Sequence, residues 1–232
     1  MVMGAFLLIA ATHEYLFSPN LDLHAGIPLA LIVIELIIGL ALLVGIYDRI
    51  AAFALALLWA SVWAYAGPVA AIEDIWVLST ALFIAIMGND YFRFPGIASP
   101  IAFMRRYETY ALPILRIGSG ATLLVLGFSE KILHPEYGIN FLAQYHWNFM
   151  QNVGIPYSDY LFTLSAGSVE AIFGAVFLLG IATRLNALVL AVVFTIPIFI
   201  LGPLELAGHM PHFAAVILLL LFGAGEHFRL VR

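Results

Sequence analysis

Apolar residues run along this chain in long unbroken blocks rather than in alternation. Eight blocks stand out, at about 2–17, 28–47, 50–67, 73–88, 111–130, 157–181, 185–202 and 210–225. Each is close to the roughly 20 apolar residues that a helix needs to cross a bilayer core. Between them stand turn and charge signals. These are Ser18-Pro19, Tyr47-Asp48-Arg49, Gly67-Pro68, Gly88-Asn89-Asp90, His134-Pro135, Thr183-Arg184 and Gly202-Pro203. The pattern predicts an all-α membrane protein with eight transmembrane helices.

Composition supports lipid as the solvent. Of the 232 residues, 64% are hydrophobic and 10% are charged. A soluble domain carries about 25% charged residues. The slight acidic balance, -5, supplies no basic surface for nucleic acid. No cysteine is present, which removes disulfides, thiolate metal sites and dithiol redox motifs. The first block lacks a positively charged leader, so it is expected to be a membrane helix rather than a cleaved signal peptide.

The charges set an orientation. With eight spans, alternate loops collect Arg49, Arg93, Arg105, Arg106, Arg116, Arg184, Arg229 and Arg232 on one side, against Lys131 on the other. Cytoplasmic loops carry such an excess, so both termini are expected in the cytoplasm. The outer loops carry Asp22, Glu73, Asp74, Glu136, Asp159 and Glu205. Arg184 then sits at a water boundary. Glu170 lies near mid-block, where a charge is costly unless it is paired or protonated.

The plan of the chain recurs. Glu35, Gly39, Gly45 and Arg49 stand at the same spacing as Glu170, Gly174, Gly180 and Arg184, and "HEYLFSP" (13–19) is similar to "SEKILHP" (129–135). The expected organisation is a four-helix unit at 1–88, a cytoplasmic linker at 89–110 and a second four-helix unit at 111–232. An even number of spans per unit makes such repeats parallel. The second unit has a longer outer loop, 136–156. There Ile139, Leu142, Tyr145 and Phe149 fall at helical spacing, predicting a short interfacial helix anchored by Tyr145 and Trp147, and a candidate lid.

The second half resembles the DoxX/DoxD family of four-helix membrane proteins. The residues that carry the likeness are "LRIGSGATLLVLGFSEKIL" (115–133), "GIP" (154–156) and "VEAIFGAVFLLGIATRLNAL" (169–188). In the first half Tyr15 replaces the motif's Lys and Asp48 its Thr, so that half reads as a degenerate copy. The resemblance implies a respiratory or redox setting. Some members of the family are membrane subunits of quinone-reducing sulfur oxidoreductases.

That setting frames the candidate chemistry. A quinone headgroup needs hydrogen-bond partners at its carbonyls and a proton route. Glu170 is the expected proton carrier, Lys131 its partner, and His209 or His212 the carbonyl donors. Glu130, Arg184 and Trp147 are the candidates for contacting a bound cofactor. A plain Glu170–Lys131 ion pair between helices is the alternative. The i, i+3 spacing of His209 and His212 is a weak haem signal, and no metal site is expected. His13 is a weak further ligand, and His24 and His227 read as loop and terminal residues. Glu35 has fewer polar neighbours in sequence, and a backbone carbonyl is its expected partner.

The function expected is an integral membrane subunit of a respiratory or redox complex with other protein subunits, with a quinone-reactive pocket in the second unit. Any enzyme activity would be of the thiosulfate:quinone oxidoreductase kind. The rivals are a structural or assembly subunit and a proton-coupled transporter using Glu35 and Glu170. The electron donor has no motif in this chain.

Overall fold

A computed structural model describes residues 1–22, 26–88, 102–202 and 204–230. His24, Arg93, Pro203, Arg232 and linker positions 89–101 lie outside them, as does the side chain of Glu205. The described residues are helices and turns, without a strand beyond an isolated Tyr15–Asp22 bridge.

The helices are α1 (Val2–Thr12), α2 (Leu29–Val44), α3 (Asp48–Tyr65), α4 (Gly67–Glu73), α5 (Ile75–Met87), α6 (Glu108–Leu126), α7 (Pro135–Tyr145), α8 (Phe149–Asn152), α9 (Asp159–Leu179), α10 (Thr183–Leu201) and α11 (Leu204–Phe222). A 3₁₀ segment, Ala102–Tyr107, leads into α6, and a π-helical turn, Gly127–Leu133, follows it. Every apolar block of the sequence overlaps one of these helices.

Length separates them. Asp48–Tyr65, the continuous Phe103–Leu133 and Asp159–Leu179 are long and apolar enough to cross a membrane. The pair α4 and α5 joins them if its 54° bend is counted within one span. Val2–Thr12, Leu29–Val44, Thr183–Phe199 and Leu206–Phe222 are apolar but shorter.

Three elements differ from the sequence pattern, each for a local reason. The first helix stops at Thr12 rather than near Phe17, because Glu14 and Phe17 adopt left-handed backbone. The next residues curl into a compact loop that buries Leu16, Phe17 and Leu21. Gly67-Pro68 does not simply end a helix. Pro68 sits in the first turn of α4, where a proline loses no helical hydrogen bond. The outer helix α7 ends at Tyr145, because His146 turns left-handed, so Phe149 starts a separate turn.

The helices pack as a ring. In order, α1 packs on α2, α2 on α3, α3 on α5, α5 on α6, α6 on α9, α9 on α10, and α10 on α11. The ring closes where α11 meets α1, and α11 also touches α6. Small residues permit the closest approaches. A Cβ on Gly4 would lie 2.7 Å from the Gly39 carbonyl, and one on Gly120 would lie 2.8 Å from the Gly174 carbonyl. In lipid, where burial of apolar surface gives little drive between helices, such contacts supply the packing energy. The core of the first half includes Phe6, Leu7, Leu55, Val62 and Val77, and a smaller core in the second half gathers Leu123, Phe177, Leu190 and Leu219. Outside, Leu29, Ile37, Phe53, Leu57 and Ile172 stand exposed, and Phe199 is 85% exposed. An apolar exterior on this scale suits hydrocarbon, not water.

Candidate functional site

The two ends of the ring differ in chemistry. At one end, arginines clamp the helix termini. Arg116 is fully buried within α6. It donates to the carbonyls of Phe177, Leu178, Ala224, His227 and Phe228. Those carbonyls belong to the last turn of α9, where the regular helical ladder ends, and to the C-terminal tail beyond α11. Gly180, in left-handed backbone, makes room for the guanidinium. Arg184 donates to the Leu221 carbonyl at 3.2 Å, and Arg49 to Ala85 at 3.1 Å. Sequence reasoning read Arg116 as a boundary cation. Its burial was not legible, because the carbonyls it serves lie more than 60 residues away.

At the other end are two cavities, with Glu130 in the walls of both. The smaller, of about 350 Å³, lies beneath α7 and is lined by Glu130, Lys131, Tyr137, Gly138, Phe141, Leu142, Trp147, Phe162, Thr163 and Ala166. Its roof follows from the amphipathic pattern of 135–145, which turns Leu142 inward. Gly138 lets α7 settle on α9, where a Cβ would meet Thr163 at 2.4 Å. Thr163 is 2% exposed, and its hydroxyl has no hydrogen-bond partner. Beside this pocket Lys131 bonds Glu170 at 2.6 Å, with both side chains partly exposed.

The larger cavity, of about 510 Å³, lies at the junction of the two halves. Phe17, Ser18 and Asn20 come from the loop after α1. Tyr65, Glu73, Asp74 and Trp76 come from α3 to α5, Thr122 and Glu130 from α6 and its π turn, and His212 from α11. Trp76 organises it. Its indole N–H donates to Asp74 at 3.2 Å, and its backbone N–H donates to the Thr122 hydroxyl at 3.1 Å. Its ring packs against His212, with centroids 4.7 Å apart, and edge-on against Phe6 at 5.3 Å. Glu35 lies behind this loop, fully buried, and accepts the Phe17 backbone N–H at 3.2 Å.

The expected site residues therefore do not form one cluster. Lys131 and Glu170 meet each other. Glu130 and Trp147 join Lys131 around the smaller pocket. His212 instead belongs to the junction cavity with Trp76, and His209 lies 6.2 Å from it, ring to ring. Arg184 stands at the arginine end, in an open pocket with Gly180, Gly223 and Glu226. Helix direction explains the split. Arg184 follows the turn that closes α9, while Glu170 sits mid-helix, so they occupy different depths. Glu35 also differs from expectation, because its backbone partner is a donor rather than an acceptor. Thr163, Trp76 and Thr122 were missed. Only the unusual placement of Trp76 two residues beyond an acidic pair hinted at the indole–carboxylate bond.

An all-helical ring with an apolar exterior, spans of bilayer length and polar groups gathered at its ends defines an integral membrane protein. Residues 111–203, within the second half of the chain, match the family model described as DoxX. No curated protein and no solved structure matches the chain.

Proposed function

We propose that the protein is a membrane subunit of a respiratory or redox complex, and that the pocket beneath α7 takes a quinone-type ring. The observation that carries this reading is the Thr163 hydroxyl, buried without a partner in a pocket otherwise walled mainly by apolar and aromatic residues. Leaving such a group unpaired costs about 1–3 kcal/mol, which a ligand acceptor would relieve. A quinone carbonyl is an acceptor attached to a flat apolar ring, and Phe141, Trp147 and Phe162 offer apolar faces for it. Lys131 stands at the pocket wall as a second donor. Reduction of a quinone to a quinol consumes two electrons and two protons. The electrons would come from a partner subunit, and Glu170, bonded to Lys131, would pass the protons.

The architecture belongs to the same reading. We assign eight spans in two tandem four-helix units, at 1–88 and 111–232, with both termini cytoplasmic. Three features support it. The Gly4–Gly39 and Gly120–Gly174 contacts are alike. The helix-ending pairs Gly45 with Tyr47 and Gly180 with Ala182 share left-handed backbone. The carbonyl-capping arginines Arg49, Arg116 and Arg184 collect at helix ends that the positive-inside rule places in the cytoplasm. Reporter fusions at residue 100 and at the C-terminus should both read cytoplasmic, and opposite readings would refute the even span count.

The pocket is tested by binding. A short-chain benzoquinone should quench the fluorescence of the purified chain, and Trp147→Phe should remove most of the quenching. Thr163→Val keeps shape and removes the hydroxyl, so it should weaken binding about 5- to 30-fold. Equal affinity in wild type, Thr163→Val and Lys131→Met would sink the quinone site. The Lys131–Glu170 bond would then be read as an ion pair that fastens the π turn to α9 in a structural subunit.

A further inference from the structure

We propose that the pocket at the arginine end is a second binding site, separate from the pocket beneath α7, and that it holds the headgroup of an anionic phospholipid. The pocket, about 610 Å³, has the volume of a small-molecule site. It is built from the turn after α9, the start of α10 and the end of α11, so it lies where helices leave the bilayer core. Arg184 and Arg229 stand in its wall, both exposed. Two glycine turns of the same wall seat them. A Cβ on Gly180 would lie 2.8 Å from the Arg229 Cβ, and one on Gly223 would lie 3.5 Å from the Arg184 Nε. Arg116 stands behind Gly180, its Nη1 2.9 Å from that same Cβ position. Among the described residues none of these three arginines forms an ion pair. Glu226 is the only carboxylate among the described residues of the wall. Three positive charges against one negative leave a field that attracts an anion.

The rest of the lining narrows the anion. A guanidinium presents paired N–H donors that match the oxygens of a phosphate group. Thr183 opens α10 in the same wall, is 5% exposed, and its hydroxyl has no hydrogen-bond partner. A phosphate oxygen is an acceptor for such a donor. Leu185 follows Arg184, and Phe222 precedes Gly223. Both line the pocket, and they are 63% and 61% exposed. An inorganic anion gains nothing from these apolar surfaces, whereas acyl chains cover them. A phospholipid meets both demands at once, with its phosphate at the arginines and its chains along Leu185 and Phe222. The excess of positive charge disfavours a choline headgroup, so the lipid is anionic overall. Basic pockets between helices at a membrane surface recognise anionic headgroups by this same chemistry.

The test uses the full chain in neutral detergent and follows its melting temperature. The probe is dihexanoyl phosphatidylglycerol, with dihexanoyl phosphatidylcholine and inorganic phosphate as controls at equal ionic strength. Phosphatidylglycerol should raise the melting temperature, and neither control should match it. Arg229→Gln should weaken the response about tenfold and leave the melting temperature without lipid unchanged. Arg184→Gln, which can still donate to the Leu221 carbonyl, should weaken it similarly. Glu226→Gln should act in the opposite direction and strengthen binding, because it removes the carboxylate from the wall. Equal stabilisation by phosphatidylglycerol and phosphatidylcholine overturns the proposal. A shift with inorganic phosphate as large as that with phosphatidylglycerol identifies a free anion and overturns the lipid. An undiminished response in both arginine variants overturns the site. The quinone test at Thr163 and Lys131 reads a pocket at the other end, so the two proposals fail separately.

Discussion

Glu35 and Glu170 begin from similar sequence and end in opposite surroundings. Each is followed four residues on by a glycine that seats a neighbouring helix. Glu35 is wholly enclosed, and its Oε1 holds the Phe17 N–H while Oε2 has no partner. Glu170 keeps 21% of its side chain exposed and is bonded to Lys131. The difference arises outside the two helices. After α1 the chain folds a tight loop back over Glu35. After α6 it continues as a π turn, which carries Lys131 across to α9. The surroundings of a carboxylate in an apolar helix are thus set by what covers it rather than by its place in the helix.

The comparison is sharpest when the loop is released. Glu35→Ala removes the acceptor for the Phe17 N–H and leaves a void where the fully buried carboxyl stood. The expected loss is about 2–4 kcal/mol, from an unsatisfied donor and a cavity together. Thermal unfolding in detergent, with proteolysis of residues 13–22, would detect it. Equal stability of Glu35→Ala and wild type would show that Glu35 does not anchor the loop.

Breaking the Lys131–Glu170 pair should cost less. Lys131→Met alone should cost about 1 kcal/mol, since the pair is only partly covered. Adding Glu170→Leu should recover most of it, because an apolar pair replaces an ion pair at little cost. A double-mutant cycle on melting temperature measures this. Additive losses would mean that the pair does not couple.

Glu170→Gln should be nearly neutral for folding, with a change below about 0.5 kcal/mol. On the proposed function it should nevertheless abolish quinone turnover by the assembled complex. Full turnover with Gln at 170 would remove Glu170 as the proton carrier.

The smallest effect is expected from Glu35→Gln. The amide oxygen can still accept the Phe17 N–H, so stability and turnover should stay within about 0.5 kcal/mol and twofold of wild type. A larger effect than that of Glu170→Gln on turnover would reverse the ranking of the two carboxylates.

The sequence by itself determined the all-helical class, the membrane as solvent and roughly where the apolar helices lie. Those properties follow from runs of apolar residues and local breaks, and every apolar block did overlap a helix. The outer helix was legible to Tyr145 for the same reason. The Lys131–Glu170 contact also agreed with the pairing read from charge in an apolar setting. Only the tertiary structure decided which polar residues share a site. Ring closure by α11 brings His212 to Trp76, and the tail brings its carbonyls to Arg116. Thr163 loses its partners only when α7 settles against Gly138. Hydrophobic periodicity reports which face of a helix is apolar, but the partner across that face lies far away in the chain, and its identity depends on how the helices pack.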